Sequence, residues 1–147
     1  MNIIAANALP ASTDGLNTLA IANDADLNAL AASGALQGVQ RIELHFPAFT
    51  DGRAFSQAVL LRRRLGFTGD IRATGEVLID QLVQMARSGF SSAVLAEGVD
   101  PAAAQRQFER YHGFYQGDAL QPRPLFARQD APQEKADEKA HALQGAA

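Results

Sequence analysis

The chain alternates short apolar runs with longer stretches whose apolar residues recur every three or four positions. Thr18–Asn23 (TLAIAN) reads as a strand. The stretch DADLNALAASG that follows reads as a helix, started by Asp24 or Asp26 and stopped by Gly34. Arg41–Phe46 (RIELHF) is a second strand, with Ile42, Leu44 and Phe46 on one face. Thr50 or Asp51 caps a helix over about Arg53–Leu65, with an inward stripe of Phe55, Ala58, Val59 and Leu65, Leu61 alongside, and Gly66 as its end. Asp70–Gly75 is a third strand. EVLIDQLVQMARSG is a third helix, with Leu78, Leu82 and Met85 on one side and Gly89 as its terminator. SSAVLAEG is a fourth strand. DPAAAQRQFERYHGFY is a fourth helix, with Asp100 as N-cap and Pro101 in the first helical position.

Strands separated by helices of this length imply right-handed crossovers and a mainly parallel sheet of about four strands. The fold class is therefore α/β: a single domain of repeated βα units over residues 16–116. An open layered sheet is the preferred arrangement and a half-barrel the alternative. In both, the C-terminal ends of the strands form the natural functional face. Residues 1–15 read as an N-terminal arm or an extra edge strand. Residues 117–147 are rich in Pro, Gln, Ala and charge, and read as a disordered tail with a short helix near Ala131–Leu143. Within that tail, Pro122–Phe126 (PRPLF) is suited to dock on the domain or on a partner.

Composition narrows the function classes. The 147 residues carry a formal net charge of −3, which gives no global reason to bind nucleic acid or an anionic membrane surface. There is no cysteine, so disulfides, zinc–thiolate sites, iron–sulfur ligation and a thiol nucleophile are excluded. The N-terminal stretch has no basic region followed by a long apolar core, and no run approaches the length of a membrane span. A cytoplasmic protein is expected. His45, His112 and His141 lack ligand spacing, so no metal site is expected. No G-x-G-x-x-G, P-loop lysine or G-x-S-x-G is present, so no cofactor is expected.

The residues able to carry chemistry lie mainly after strand two. Asp51-Gly52-Arg53 supports two readings. In one, Asp51 caps the helix, Gly52 allows the turn and Arg53 is solvated. In the other, Arg53 and the N–H groups at the helix start bind an anion, with Ser56 adding a hydroxyl. Arg62-Arg63-Arg64 sits in the last turn of the same helix, where the macrodipole favours cations, and a docking patch for an acidic partner is the alternative. Arg72 lies inside a strand. In a sheet covered on both faces it needs a partner, for which Asp80, Glu76 and Glu43 are candidates, or a ligand. Thr74 and Gly75 end that strand and permit close backbone approach. Asp80 and Gln81 fall at the start of helix three, and Asp80 is the candidate base. Tyr111, Phe114 and Tyr115 read as a packing anchor.

The segments ANDADL, FPAFTDGRAFSQAVLLRRRLGFTGDIRATGEVLIDQL, MARSGF and FYQ resemble an uncharacterised bacterial domain-of-unknown-function family. Its genes are commonly found beside assimilatory sulfite reductase, and its members often carry the label of probable oxidoreductases in sulfite reduction. The resemblance covers about Ala22–Gln116. Asp51, Gly52, Arg53, Phe55 and Ser56 match its most distinctive motif. Arg72, Gly75, Asp80 and Gln81 match a second, and Asn23, Asp24 and Asp26 a third. Many relatives carry cysteine where this chain has Ser88. The side chains offer no redox couple, so what the resemblance implies is an accessory role beside sulfite reductase or another sulfur-assimilation enzyme. The alternative is a small enzyme or binding protein for an anionic or phosphorylated ligand at the strand C-termini. An exposed helix face also suits a homodimer.

Overall fold

A computed structural model describes residues 1–8, 15–111 and 113–127. Five parallel strands form one open sheet: β1 (Asn2–Ile4), β2 (Thr18–Ile21), β3 (Arg41–Phe46), β4 (Asp70–Gly75) and β5 (Ser92–Val94), in the spatial order β1-β5-β4-β3-β2. Strands β2 to β5 are neighbours in chain order, as right-handed βα units require. β1 is the fifth strand. The arm read from the sequence forms the edge beside β5, with Asn2 opposite Ser92. Because β1 and β2 occupy opposite edges, the sheet is an open one and not part of a closed barrel.

Helices α1 (Leu27–Ala32), α2 (Arg53–Arg63), α3 (Leu82–Ser88) and α4 (Pro101–Glu109) follow β2, β3, β4 and β5. Crossovers of one hand between successive neighbours carry the helices to the same side, and α1–α2, α2–α3 and α3–α4 pack as a single layer. Beneath it lies the core: Ile42, Leu44 and Phe46 from β3, Ile71 and Ala73 from β4, Ala93 from β5, and Ala54, Ala58, Leu61, Leu82, Met85 and Ala104 from the helices. Phe46, Phe55 and Phe90 meet ring to ring at centroid distances of 5.2–6.3 Å.

Local rules account for the element ends. The Asp26 carboxylate accepts from the backbone N–H groups of Asn28 and Ala29, and Asp100 accepts from that of Ala102 ahead of Pro101. Gly89 closes α3 with φ +112°, a left-handed conformation natural to glycine. Three expectations need correction. The third helix begins with a 3-10 turn at Ile79–Gln81 and becomes α-helical only at Leu82, because Leu78 is extended. The fourth ends at Glu109. The buried stripe of α2 is Ala54, Gln57, Ala58 and Leu61, rotated from the one read in the sequence, so Phe55 and Val59 lie at its margin.

The opposite face of the sheet is polar, and among the described residues all four α-helices pack on the other face. Register places Arg41 beside Asp70, Arg72 between Glu43 and Ser92, and His45 beside Thr74. Residues alternate along a strand, so these side chains share the face turned away from the helices. Arg72, only 7 % exposed, stands 3.6 Å from Glu43 and 3.8 Å from Asp70. Of the three partners proposed from the sequence, Glu43 is the one the fold supplies.

Residues 117–127, the described part of the expected tail, continue against α3. The Ala119 N–H donates to the Arg87 carbonyl, and Arg87 Nη2 donates to the Gln116 carbonyl. A 3-10 turn occupies Leu125–Ala127. The tail from residue 128 on, its expected helix, His112 and His141 lie outside the described residues. Among the described residues no helix is long and apolar enough to cross a membrane.

Candidate functional site

Three loops meet where β2, β3 and β4 end. The β2 loop brings Asn23 and Asp24, the β3 loop Phe49, Asp51 and Arg53, and the β4 loop Gly75, Glu76, Asp80 and Gln81. This gathers most of the site residues expected from the sequence at one edge.

Asp51 organises the first half. Its carboxylate accepts two hydrogen bonds from the Arg53 guanidinium, 3.0 Å from Nε and 2.7 Å from Nη2. It also accepts from the Arg53 backbone N–H at 3.2 Å and from Asn23 Nδ2 at 2.6 Å. The bidentate pair is the geometry in which arginine and carboxylate match best. The Arg53 hydrogen bonds hold the Asp51 pKa down to about 2, and they raise that of Arg53. Gly52, not Asp51, is the N-cap of α2, and it gives no side-chain cap. Asp51 stands one residue earlier and fixes the turn through Arg53. The arginine is therefore already neutralised, although 58 % of its side chain is exposed. An anion at this end would compete with Asp51 for the guanidinium. Ser56 is exposed on the next turn of α2.

Phe49 organises the second half. Its backbone N–H donates to Glu76 Oε2 at 2.6 Å, and its carbonyl accepts from Gln81 Nε2 at 3.1 Å. Both polar groups of this one peptide residue are thus held by side chains from the neighbouring loop. The residue as a whole is 48 % exposed. Gly75 makes the close approach possible: its φ is +87°, and a Cβ there would fall 2.3 Å from the Phe46 carbonyl oxygen. Gln57 is also drawn to this end, its Nε2 donating to the Ala22 carbonyl. The buried carboxamide oxygens of Gln57 and Gln81 have no hydrogen-bond partner.

The charge at this end is acidic. Asp24, Asp26, Asp51, Glu76, Asp80, Glu97 and Asp100 all lie in loops leaving the strand C-termini or at helix starts. Arg53 is bound to Asp51, and Arg106 reaches Asp100 at 4.0 Å. Asp80 is exposed and sits in the 3-10 turn.

The remaining candidates lie elsewhere. Arg72 is in the sheet, held by Glu43, Asp70 and a 3.4 Å contact to Ser92, and does not converge with Arg53. Arg63 and Arg64 are exposed at the far end of α2. Arg62 turns inward. It donates to the carbonyls of Gly89, Phe67 and Gly69, each at 2.8 Å. The helical period already carried this signal, since Ala54, Ala58 and Arg62 are four residues apart and share a face. Phe49 was legible only as an apolar residue in a loop, because the bonds that hold it come from residues about thirty positions away.

No curated protein and no solved structure matches the chain at a level that marks a relative. A family profile does match, over residues 18–126, so that it takes in β2 to α4, all three loops just described and the segment folded against α3. The chain belongs to that family, described as a bacterial protein of unknown function (DUF934).

Proposed function

We propose that this is a cytoplasmic accessory protein of assimilatory sulfite reduction, docking on sulfite reductase or on another sulfur-assimilation enzyme. The sulfur setting rests on the resemblance of the sequence to a family encoded beside sulfite reductase. The docking role rests on Phe49. A half-exposed aromatic residue costs little further entropy on binding when its backbone is already fixed at both polar groups, and such residues dominate the energetics of protein contacts. The carboxylates around it would steer a basic partner surface toward it. The small-anion reading of the same strand ends has weaker support, because Asp51 already holds Arg53 and Arg72 is engaged in the sheet.

The test is genetic. Deleting the gene is expected to abolish growth on sulfate and on sulfite while sulfide restores it, and a plasmid copy carrying Phe49→Ala is expected to complement poorly. Rescue by sulfite alone would move the protein upstream to sulfate activation. Normal growth of the deletion strain on sulfate would refute the reading.

A further inference from the structure

The far end of the sheet holds a groove of about 720 Å³ where β4 and β5 begin. Its walls are Arg62, Phe67, Thr68, Asp70, Ser91 and Leu120, together with the backbone of the Gly66–Gly69 turn. That volume is within the range of small-molecule sites.

Arg62 sets its chemistry. The guanidinium is half-buried, and burial lowers its pKa, with Asp70 acting in the opposite direction. No carboxylate among the described residues lies within ion-pair distance of it. Three carbonyls fix its Nε and Nη1, and Phe67 stacks at 5.9 Å from the guanidinium carbon. Nη2 makes only a 3.4 Å contact to the Ser91 hydroxyl, which leaves donor capacity unspent. Asp70 acts on this charge only through space, because its hydrogen bonds go elsewhere. Its oxygens accept from Arg41 at 2.8 Å, from Ser91 at 2.6 Å and from Ser92 at 2.8 and 3.0 Å. The groove therefore offers a fixed cation whose carboxylate neighbour is already occupied, beside the apolar surfaces of Phe67 and the half-exposed Leu120.

We infer that this groove binds a small amphiphilic anion. A phosphate, sulfonate or carboxylate group would accept from Arg62 Nη2 and the Thr68 hydroxyl, and a flat apolar body would lie against Phe67 and Leu120. The site is separate from the Phe49 face and does not depend on the role proposed for that face.

Phenyl phosphate is the probe, titrated into the isotope-labelled full chain and followed by amide and arginine Nε resonances. Saturable shifts are expected in Gly66–Asp70, Ser91, Leu120 and Arg62. Inorganic phosphate and phenol should each bind at least about tenfold more weakly, a loss of about 1.4 kcal/mol. Thr68→Glu places a carboxylate at the rim on an exposed residue, so the fold should persist while affinity falls at least about tenfold. Arg62→Lys, checked for folding by its amide spectrum, should weaken binding as well, because an ammonium cannot keep the three carbonyls and also reach the ligand. Absence of saturable shifts would overturn the inference. So would shifts centred on Arg53 and Phe49, or equal affinity in a folded Thr68→Glu variant.

Discussion

Arg53 and Arg62 are about two and a half turns apart on one helix and face opposite fates. Arg53, at the strand C-termini, is exposed and clasped by Asp51 two residues before it. Arg62, at the strand N-termini, is half-buried and held by backbone carbonyls alone, apart from a long contact to Ser91. The contrast teaches that a conspicuous motif and an available charge are different things. A surface ion pair of the Arg53 type contributes little to stability, whereas an inward arginine that satisfies several carbonyls is built into the fold. It also separates most of the charge, carboxylates gathering at the strand C-termini and Arg62, Arg63 and Arg64 at the other end, where Asp70 is the carboxylate beside them.

The largest effect that tests this division is expected from Arg62→Ala. It strands the carbonyls of Phe67, Gly69 and Gly89 and removes a stem packed against Gly89, where a Cβ would lie 2.6 Å from Arg62 Cγ. Chemical denaturation should show a loss of about 3 kcal/mol, against less than about 0.5 kcal/mol for Arg63→Ala. Equal effects would erase the distinction between the buried arginine and its solvated neighbour.

Asp70→Asn comes next. Burial raises the Asp70 pKa, but hydrogen bonds from Ser91, Arg41 and Ser92 outweigh it and hold the carboxyl below its ordinary value. The amide keeps the shape and loses the charge between Arg41 and Arg72, so a loss of about 2 kcal/mol is expected by denaturation. The native carboxylate's contribution is full above its unfolded pKa near 3.8 and disappears as the pH falls through the depressed native value. Acid unfolding of the wild type should show this loss, and the Asn variant should show a flatter profile over the same window.

Gly75→Ala should cost about 1–3 kcal/mol, because φ +87° and the Phe46 carbonyl both oppose a side chain there. Faster amide exchange at Phe49 should accompany it if Gly75 sets the approach of the two loops.

The smallest effect is expected at the motif itself. Arg53→Ala should leave the denaturation midpoint nearly unchanged, because a solvent-screened ion pair contributes little. It should still raise the Asp51 pKa from about 2 toward 3.8, read by carboxyl chemical shifts against pH. A large stability loss would mean that this turn is structurally more important than its exposure implies.

The sequence made much of this fold legible and left specific parts hidden. Strands β3 and β4 have the ends their apolar alternation predicts, and Asp26, Asp100, Gly66 and Gly89 mark boundaries through local chemistry that needs no tertiary partner. β1 was ambiguous because three residues at an edge carry too short a pattern. The polar character of one sheet face was missed because alternation shows which residues share a face, not which face the described helices cover. At the strand ends, the family motifs fall on three loops that the fold brings together. The pairing of Arg53 with Asp51 was within reach of the sequence, whereas the fixing of Phe49 by Glu76 and Gln81 depends on strand register. Arg62 was hidden inside a run whose other two members are solvated.

Phe49 and the acidic strand ends form the proposed docking surface. The most direct measurement is a calorimetric titration of the full chain into purified sulfite reductase at low and moderate salt, with Phe49→Ala and Thr68→Glu in parallel. Saturable binding is expected that weakens with salt, falls at least about tenfold in Phe49→Ala and is unchanged in Thr68→Glu. No binding, or binding that Phe49→Ala leaves intact, would contradict it.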